Sequence, residues 1–157
     1  MRRSTQRQSA IVRLASEQDL DRLSLIDQAI FTDEPYPFFV LRQLFEVHGS
    51  RFLVLDHSGE LAGYSLLATA PDHQQCWVLG LGVVAHARGL GHGRRLMEES
   101  IDLLTADRVA ELRLSVEPGN EIAIKLYRSL GFSVLGHRPS YFGPGDDRLI
   151  MQLTLGG

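Results

Sequence analysis

The chain has 157 residues, of which 44% are hydrophobic and 22% are charged, and its formal net charge is -3. This length and composition are typical of one globular domain, and so small an acidic excess argues against a protein that coats nucleic acid or an anionic membrane. The single cysteine, Cys76, excludes an internal disulfide framework, and no Cys/His group has zinc-site spacing, so we expect no metal. No apolar run approaches the roughly 20 residues that span a bilayer, and no signal-peptide core follows the basic N-terminus. We therefore expect a cytoplasmic protein with no membrane or nucleic-acid partner.

Hydrophobic periodicity divides the chain into strands and helices. We expect a flexible tail over residues 1–9 and one domain over residues 10–157, with Ser16 and Asp19 capping the first helix. The pattern then predicts, in chain order, a strand (10–14), two helices (20–30, 38–47), a hairpin (51–56, 60–70), a strand (76–84), a helix (96–104), a strand (111–117), a helix (120–130) closed by Gly131, and two strands (133–141, 148–155). The strand at 76–84 is almost continuously apolar, which favours burial on both faces. This order predicts an α/β fold with a mixed sheet and helices packed on it.

A glycine-rich turn between that apolar strand and the next helix is the most informative segment. It reads Arg88-Gly89-Leu90-Gly91-His92-Gly93-Arg94. Such a turn directs several backbone N–H groups and the positive end of a helix toward one point, which suits a phosphate. The spacing fits neither the dinucleotide fingerprint G-x-G-x-x-G nor a Walker loop, which needs Gly-Lys-Ser/Thr. A tight turn without a ligand is the alternative.

The spacing Arg-Gly-x-Gly-x-Gly after a strand that ends in valine resembles the coenzyme A pyrophosphate loop of the GNAT N-acetyltransferases. A second signature of that superfamily is similar to the residues Asn120, Ala123, Leu126-Tyr127 and Leu130-Gly131-Phe132. The resemblance covers residues 10–155. It implies a single-domain GNAT-like α/β fold, with a mixed, mostly antiparallel seven-stranded sheet and about four helices, splayed at the acyl-CoA site.

The resemblance also implies an acetyltransferase that uses acetyl-CoA as its cosubstrate and lets a primary amine attack the thioester directly. The main chain of Leu81, Gly82 and Val83 would pair with the pantetheine arm and supply an N–H for the oxyanion. Asn120 would contact the cofactor, although its residue type suits a plain helix N-cap equally well. Tyr127 would protonate the leaving thiolate, with a core tyrosine as the alternative. The pyrophosphate would be held by the backbone amides of Arg88, Gly89, Leu90, Gly91, His92, Gly93 and Arg94.

Two aromatic segments resemble the ribosomal-protein-alanine and other protein N-terminal acetyltransferases. They are Pro35-Tyr36-Pro37 and the run from Arg138 to Phe142. In the alanine acetyltransferases a glutamate occupies the strand position that Ser115 holds here, so the base of that subfamily does not carry over. We take Glu117, two residues further on the same face, as a substitute base, with an ordered water as the other candidate and a solvated strand-end charge as the alternative interpretation. The residues expected to form the acceptor site are Asp33, Glu34, Tyr36 and Tyr141.

The sequence leaves three functions open. The acceptor is either a protein N-terminus or a small molecule such as a polyamine, an antibiotic or an amino acid. The third alternative is a non-catalytic acyl-CoA-binding module. Either a monomer or a homodimer is compatible with the sequence.

Overall fold

In the computed structural model, the described residues 10–156 form a seven-stranded sheet with helices on both faces. The flexible tail predicted over residues 1–9 lies outside the described part of the chain. None of the helices in residues 10–156 combines the length and the apolar character needed to cross a membrane.

The elements follow the order predicted from the sequence. The strands are β1 (Ile11–Leu14), β2 (Phe52–His57), β3 (Glu60–Thr69), β4 (Gln75–Val83), β5 (Glu111–Val116), β6 (Ser133–Arg138) and β7 (Arg148–Thr154). The helices are α1 (Leu20–Ile30), α2 (Phe38–His48), α3 (His92–Ala106) and α4 (Glu121–Ser129), with short 3-10 turns at Glu17–Asp19, Gly49–Arg51 and Ala85–Ala87. The capping box of Ser16 and Asp19 is present at the first 3-10 turn, which leads directly into α1.

The sheet consists of two antiparallel ladders joined by one short parallel pairing. The strand order is β1-β2-β3-β4-β5-β7-β6, and only β4 and β5 are parallel neighbours. Their pairing joins Gln75 to Glu111, Cys76 to Leu112 and Trp77 to Arg113. Beyond Trp77 the two strands diverge, while β4 continues to Val83 and β5 to Val116. The splayed α/β fold predicted from the sequence is confirmed.

Strand β3 is the strand that is covered on both faces. Tyr64 and Leu66 pack in the cluster formed with α1 and α2, whereas Leu67 packs in the cluster formed with α3 and α4. The hydroxyl groups of Ser65 on β3 and Ser100 on α3 lie 2.8 Å apart. Because neighbouring side chains on a strand alternate between faces, these contacts place helices on both sides of the sheet.

Burial of β4 on both faces, predicted from its apolar composition, is wrong. Within this strand only Cys76 and Gly80 are buried, and the remaining residues are half-buried. The physical reason is the divergence of β5 beyond Trp77, which leaves β4 bordering a gap instead of a neighbouring strand.

Candidate active site

The gap between β4 and β5 is lined by main-chain groups of β4. The N–H of Val84 donates to the carbonyl of Ala62 in the β3 segment, at 2.8 Å. In an antiparallel pair, successive residues turn their main-chain groups to opposite sides. Gly82 therefore faces β3, as Val84 does, and Leu81 and Val83 face the gap. Of the three residues expected to pair with a pantetheine arm, Leu81 and Val83 turn main-chain groups to the gap, and the main chain of Gly82 is directed to Tyr64 instead. The pairing with the arm stays a prediction.

Close packing explains the glycines of β4. A Cβ on Gly82 would lie 2.7 Å from Cγ2 of Ile30 on α1, and a Cβ on Gly80 would lie 2.8 Å from the hydroxyl oxygen of Tyr64. Leu79 forms a bulge in β4, because the residues directly before and after it pair with two consecutive residues of β3. Such bulges bend a strand and redirect its main-chain groups, and they are common near active sites.

The glycine turn opens toward solvent where it enters α3. Gly89 and Gly91 have φ angles of +80° and +81°, and a Cβ on either would meet nothing within 4 Å. The first hydrogen bond of the helix runs from the Arg95 N–H to the Gly91 carbonyl, at 3.0 Å. The N–H groups of His92, Gly93 and Arg94 precede it and have no acceptor within the helix. Left-handed glycines, open space and unpaired N–H groups together fit a phosphate ligand.

The two arginines of this turn are engaged in contacts within the protein. The Nε–H of Arg88 donates to the carbonyl of Val83 at 3.1 Å, which ties the turn to the end of β4. The guanidinium of Arg94 contacts the hydroxyl of Ser129 and lies 3.6 Å from the carboxylate of Glu98. The main-chain N–H of Arg88 is also engaged, because it donates to the carbonyl of Ala85 at 3.3 Å, so this predicted pyrophosphate ligand is not free. The main-chain amide of Arg94 stays a predicted ligand.

His92 contributes a half-buried ring to the same turn. Its Nε2 is the one buried side-chain nitrogen or oxygen without a hydrogen-bond partner in residues 10–156. Burial, helped by the nearby His57 and Arg95, lowers the pKa of His92 below its ordinary value. The ring is therefore held in its neutral form near neutral pH.

Helix α4 carries the predicted cofactor contact and the predicted acid. Oδ1 of Asn120 accepts a hydrogen bond from the N–H of Ala123 at 3.2 Å, so the N-cap role is confirmed, while the cofactor contact stays a prediction. Tyr127 packs against the core, with its ring 5.7 Å from that of Phe132, and burial raises its pKa to about 12. Within residues 10–156 the Tyr127 hydroxyl has no hydrogen-bond partner. A side-chain nitrogen or oxygen that is both buried and without a partner occurs only at Nε2 of His92 in these residues, so the Tyr127 hydroxyl has access to solvent.

The predicted base lies outside the strand that was expected to carry it. β5 ends at Val116, and Glu117 follows it with 68% of its side chain exposed. Its carboxylate lies 3.6 Å from the guanidinium of Arg148 on β7. Ser115 lies within β5, on the face opposite the buried Leu114 and Val116. The assignment of Glu117 to this strand is wrong, because the chain leaves the sheet one residue earlier; its role as a base stays a prediction.

The predicted acceptor residues lie in two loops. Asp33 and Glu34 are exposed in the loop between α1 and α2. Tyr36, in the same loop, is half-buried, and its hydroxyl donates to the carbonyl of Leu79 at the bulge of β4, at 2.7 Å. Tyr141 lies beyond the end of β6, where its ring contacts that of Phe142 at 4.8 Å. The structure thus brings Tyr36 to β4 and leaves the two acids facing solvent.

A buried carboxylate beneath Tyr36 was missed by the sequence reasoning. Asp27 of α1 is completely buried, and its two oxygens accept hydrogen bonds from the Tyr36 N–H at 2.7 Å and from the Tyr64 hydroxyl at 2.5 Å. Burial and the Asp27 carboxylate raise the pKa of Tyr36, and the same two causes raise the pKa of Tyr64. A sequence signal existed, because Asp27 follows Leu20 and Leu23 at helical spacing and so lies on the apolar face.

Comparison with known proteins agrees with this geometry. The model of the acetyltransferase (GNAT) family matches residues 15–132. The [ribosomal protein bS18]-alanine N-acetyltransferase of Escherichia coli strain K12 is 33% identical over 112 residues, which cover 68% of this chain and 74% of that protein. The crystal structure of the ribosomal-protein-S18-alanine N-acetyltransferase from Escherichia coli is similar with a TM-score of 0.83 and 26% identity, covering 95% of this chain and 96% of that one.

A more distant solved structure shares the fold. It is a GNAT superfamily phosphinothricin acetyltransferase from Sinorhizobium meliloti, determined in complex with acetyl-CoA. Its TM-score is 0.79 at 21% identity, and the match covers 94% of this chain and 89% of that one.

Proposed function

The chain belongs to the acetyltransferase (GNAT) family and is an acetyl-CoA-dependent N-acetyltransferase, and from this premise we propose that its acceptor is the N-terminal amine of a protein. The proposal follows the relatives that act on the alanine N-terminus of a ribosomal protein. Acetyl transfer to a small-molecule amine remains the competing proposal. With either acceptor, we propose that the enzyme acts in the cytoplasm, as expected from the sequence.

The observation that carries the proposed chemistry is the gap beside β4. Leu81 and Val83 present main-chain groups to it, and the gap leads to the open glycine turn at residues 88–94. An extended pantetheine arm would add to β4 as a further strand, and the turn would receive the pyrophosphate. In this arrangement the thioester would lie beside the bulge at Leu79. We therefore propose that the redirected N–H at the bulge stabilises the oxyanion of the tetrahedral intermediate, in place of the N–H of residues 81–83 expected from the sequence.

Tyr127 acts on the leaving group in this proposal. Its hydroxyl has no hydrogen-bond partner within the described residues and stays protonated at neutral pH, because burial raises its pKa to about 12. A thiol has a pKa near 8.5, so complete proton transfer from this phenol to the thiolate is unfavourable by about 5 kcal/mol. We therefore assign Tyr127 the role of a hydrogen-bond donor to the developing thiolate, which contributes less than a matched general acid would.

Glu117 removes the proton from the attacking ammonium in the same proposal. A carboxylate near the acceptor, or a water that it orders, must accept this proton before the nitrogen can attack. Glu117 is close to the start of α4 and is held by the guanidinium of Arg148 at 3.6 Å. With 68% of its side chain exposed, the Glu117 carboxylate is accessible to an incoming amine or to a water that it orders.

Acetylation of defined amines tests this function. Purified protein is mixed with acetyl-CoA and, in separate reactions, with a peptide bearing N-terminal alanine, the same peptide with a blocked N-terminus but a free lysine, and a polyamine. Thiol release and product mass are recorded. We expect turnover of the free N-terminal peptide at least tenfold faster than of the other two. Preferred turnover of the polyamine would support the small-molecule alternative and contradict the proposed acceptor.

A further inference from the structure

Asp27 is a buried carboxylate that no cation neutralises in the described part of the chain. Its exposure is 0%, and no salt bridge within residues 10–156 includes it. Removing a carboxylate from water is costly unless hydrogen bonds replace its hydration. Two short contacts do so here, one to the Tyr64 hydroxyl and one to the Tyr36 N–H. An apolar residue of similar size would fill the same volume without that cost, so stability alone does not account for an acid here.

The contact with Tyr36 reaches from the helix to the loop that follows it. We call residues 32–37, between α1 and α2, the acceptor segment. The N–H of Tyr36 donates to Oδ2 of Asp27 at 2.7 Å, while the Tyr36 hydroxyl donates to the carbonyl of Leu79 at 2.7 Å. Tyr36 is therefore held at both ends, with its main chain fixed to α1 and its side chain fixed to the bulge of β4.

The same carboxylate is also coupled to β4 through Tyr64. The Tyr64 hydroxyl donates to Oδ1 of Asp27 and lies directly beneath Gly80, where an added Cβ would be 2.8 Å from it. The bond from Tyr64 holds the carboxylate itself, and the separate bond from the Tyr36 N–H holds the acceptor segment. A loop keeps a fixed position beside a site when hydrogen bonds to a rigid helix or strand hold it.

We propose that Asp27 is a positioning residue, which holds the acceptor segment against the bulge of β4 so that an incoming amine meets the thioester at reacting distance. This inference rests on the proposed function, because it takes residues 32–37 as a wall of the acceptor site. Asp27 does not touch either substrate and acts through Tyr36. Its loss therefore weakens acceptor use and leaves acetyl-CoA binding unchanged, since the cofactor contacts lie on β4 and the glycine turn.

Steady-state kinetics of four proteins test the assignment with the peptide bearing N-terminal alanine. They are the wild type, Asp27→Ala, Asp27→Asn and Tyr64→Phe. Asp27→Ala removes both hydrogen bonds, whereas Tyr64→Phe removes only the bond that does not reach the acceptor segment and serves as the matched control. We expect the acceptor KM to rise at least tenfold in Asp27→Ala and about threefold in Asp27→Asn, whose amide oxygen is a weaker acceptor than a carboxylate. The KM for acetyl-CoA should stay within about twofold in all variants.

Amide hydrogen exchange gives a readout that needs no acceptor. We expect the Tyr36 amide to exchange at least tenfold faster in Asp27→Asn than in the wild type, and to keep its protection in Tyr64→Phe even where that variant melts earlier. If Asp27→Ala does not fold, Asp27→Asn decides the question. Unchanged exchange and unchanged acceptor KM in Asp27→Asn would overturn the inference, as would equal effects of Asp27→Asn and Tyr64→Phe on both quantities.

The design separates this inference from the proposed function. A wild type that acetylates no peptide would refute the proposed acceptor, while the exchange of the Tyr36 amide would still report whether Asp27 holds the segment. A wild type that acetylates the peptide, with no selective change in the Asp27 variants, would refute the positioning role alone.

Discussion

The glycine turn at residues 88–94 and the acceptor segment at residues 32–37 lie at different parts of the same gap and are built in opposite ways. The turn offers main-chain N–H groups in open space, and its two arginine side chains are engaged elsewhere. The acceptor segment is fixed by side chains, through Asp27 and the hydroxyl of Tyr36. The two regions are therefore sensitive to different substitutions. An added methyl group should damage the first region, and a removed polar group should damage the second.

Glu117→Gln should have the largest effect on the reaction rate, through the proton of the acceptor amine. The substitution keeps the shape of the side chain and removes its ability to accept a proton. We expect kcat/KM at neutral pH to fall by about 10²- to 10⁴-fold, the usual contribution of a general base. Stopped-time assays of thiol release would measure it, with Glu121→Gln on α4 as the control for lost charge. A rate within twofold of the wild type would transfer the role to water or to another residue.

Gly91→Ala should show the vulnerability of the turn. A Cβ at this position would occupy the space assigned to phosphate oxygens, so we expect the Kd for acetyl-CoA to rise by about 100-fold. At a ligand concentration of 100 times the wild-type Kd, the stabilisation by ligand should then drop from about 2.7 to about 0.4 kcal/mol. Thermal melts with and without acetyl-CoA would report this change.

Gly59→Ala is the matched control for that experiment. Gly59 has a φ of +86° and equally open surroundings, but it lies in the hairpin between β2 and β3. Both variants carry the cost of about 1–2 kcal/mol for a left-handed residue with a Cβ, and only Gly91→Ala should lose the ligand shift. Equal ligand shifts in the two variants would show that the turn does not bind the pyrophosphate.

Tyr127→Phe should have a moderate effect confined to kcat. We expect a decrease of about 10²-fold or less, with the Kd for acetyl-CoA nearly unchanged. Because the pKa of Tyr127 is about 12, its hydroxyl stays protonated from pH 7 to pH 10, and the pH–rate profiles of wild type and variant should run parallel in that range. A variant with normal kcat and a melting temperature several degrees lower would make Tyr127 purely structural.

His92→Gln should give the smallest change, in the pH dependence of stability. The pKa of His92 is lowered in the folded protein, so its contribution to stability is present above the unfolded value of about 6.5 and is lost as the pH falls below it. The wild type should therefore lose more stability between pH 7 and pH 5 than His92→Gln does. Denaturant melts at the two pH values would show the difference, and identical losses would exclude His92 as the group responsible.

The turn could be predicted from the sequence because its physical basis is local. Three glycines at alternate positions after a strand predict a turn that presents its backbone N–H groups, and Gly89 and Gly91 have the positive φ angles and open surroundings that such a turn requires. The capping box of Ser16 and Asp19 and the positive φ of Gly131 are local in the same sense. Each of these features depends on residues within a few positions of one another.

The acceptor side could not be predicted in the same way. The contacts of Tyr36 and Tyr64 with β4 and α1 join residues 43 and 37 positions apart, and only the folded sheet brings them together. The exposure of β4 escaped prediction for a related reason, since its composition is the same whether its neighbour is a strand or a gap. The end of β5 before Glu117 depends on where β7 stops pairing, at Val116 with Leu149, which no periodicity reveals.

The three-residue parallel pairing between β4 and β5 is the weakest connection within the sheet. Four strands stand on one side of it and three on the other, and each ladder is continuous within itself. Cooperative units of a protein tend to follow such continuous ladders, so we expect the pairing of β4 with β5 to open before either ladder does. A substrate arm that lies in the gap and contacts both parts would join them into one unit. Acetyl-CoA bound in this way would hold the two ladders together, and its release at the end of each catalytic cycle would remove that connection.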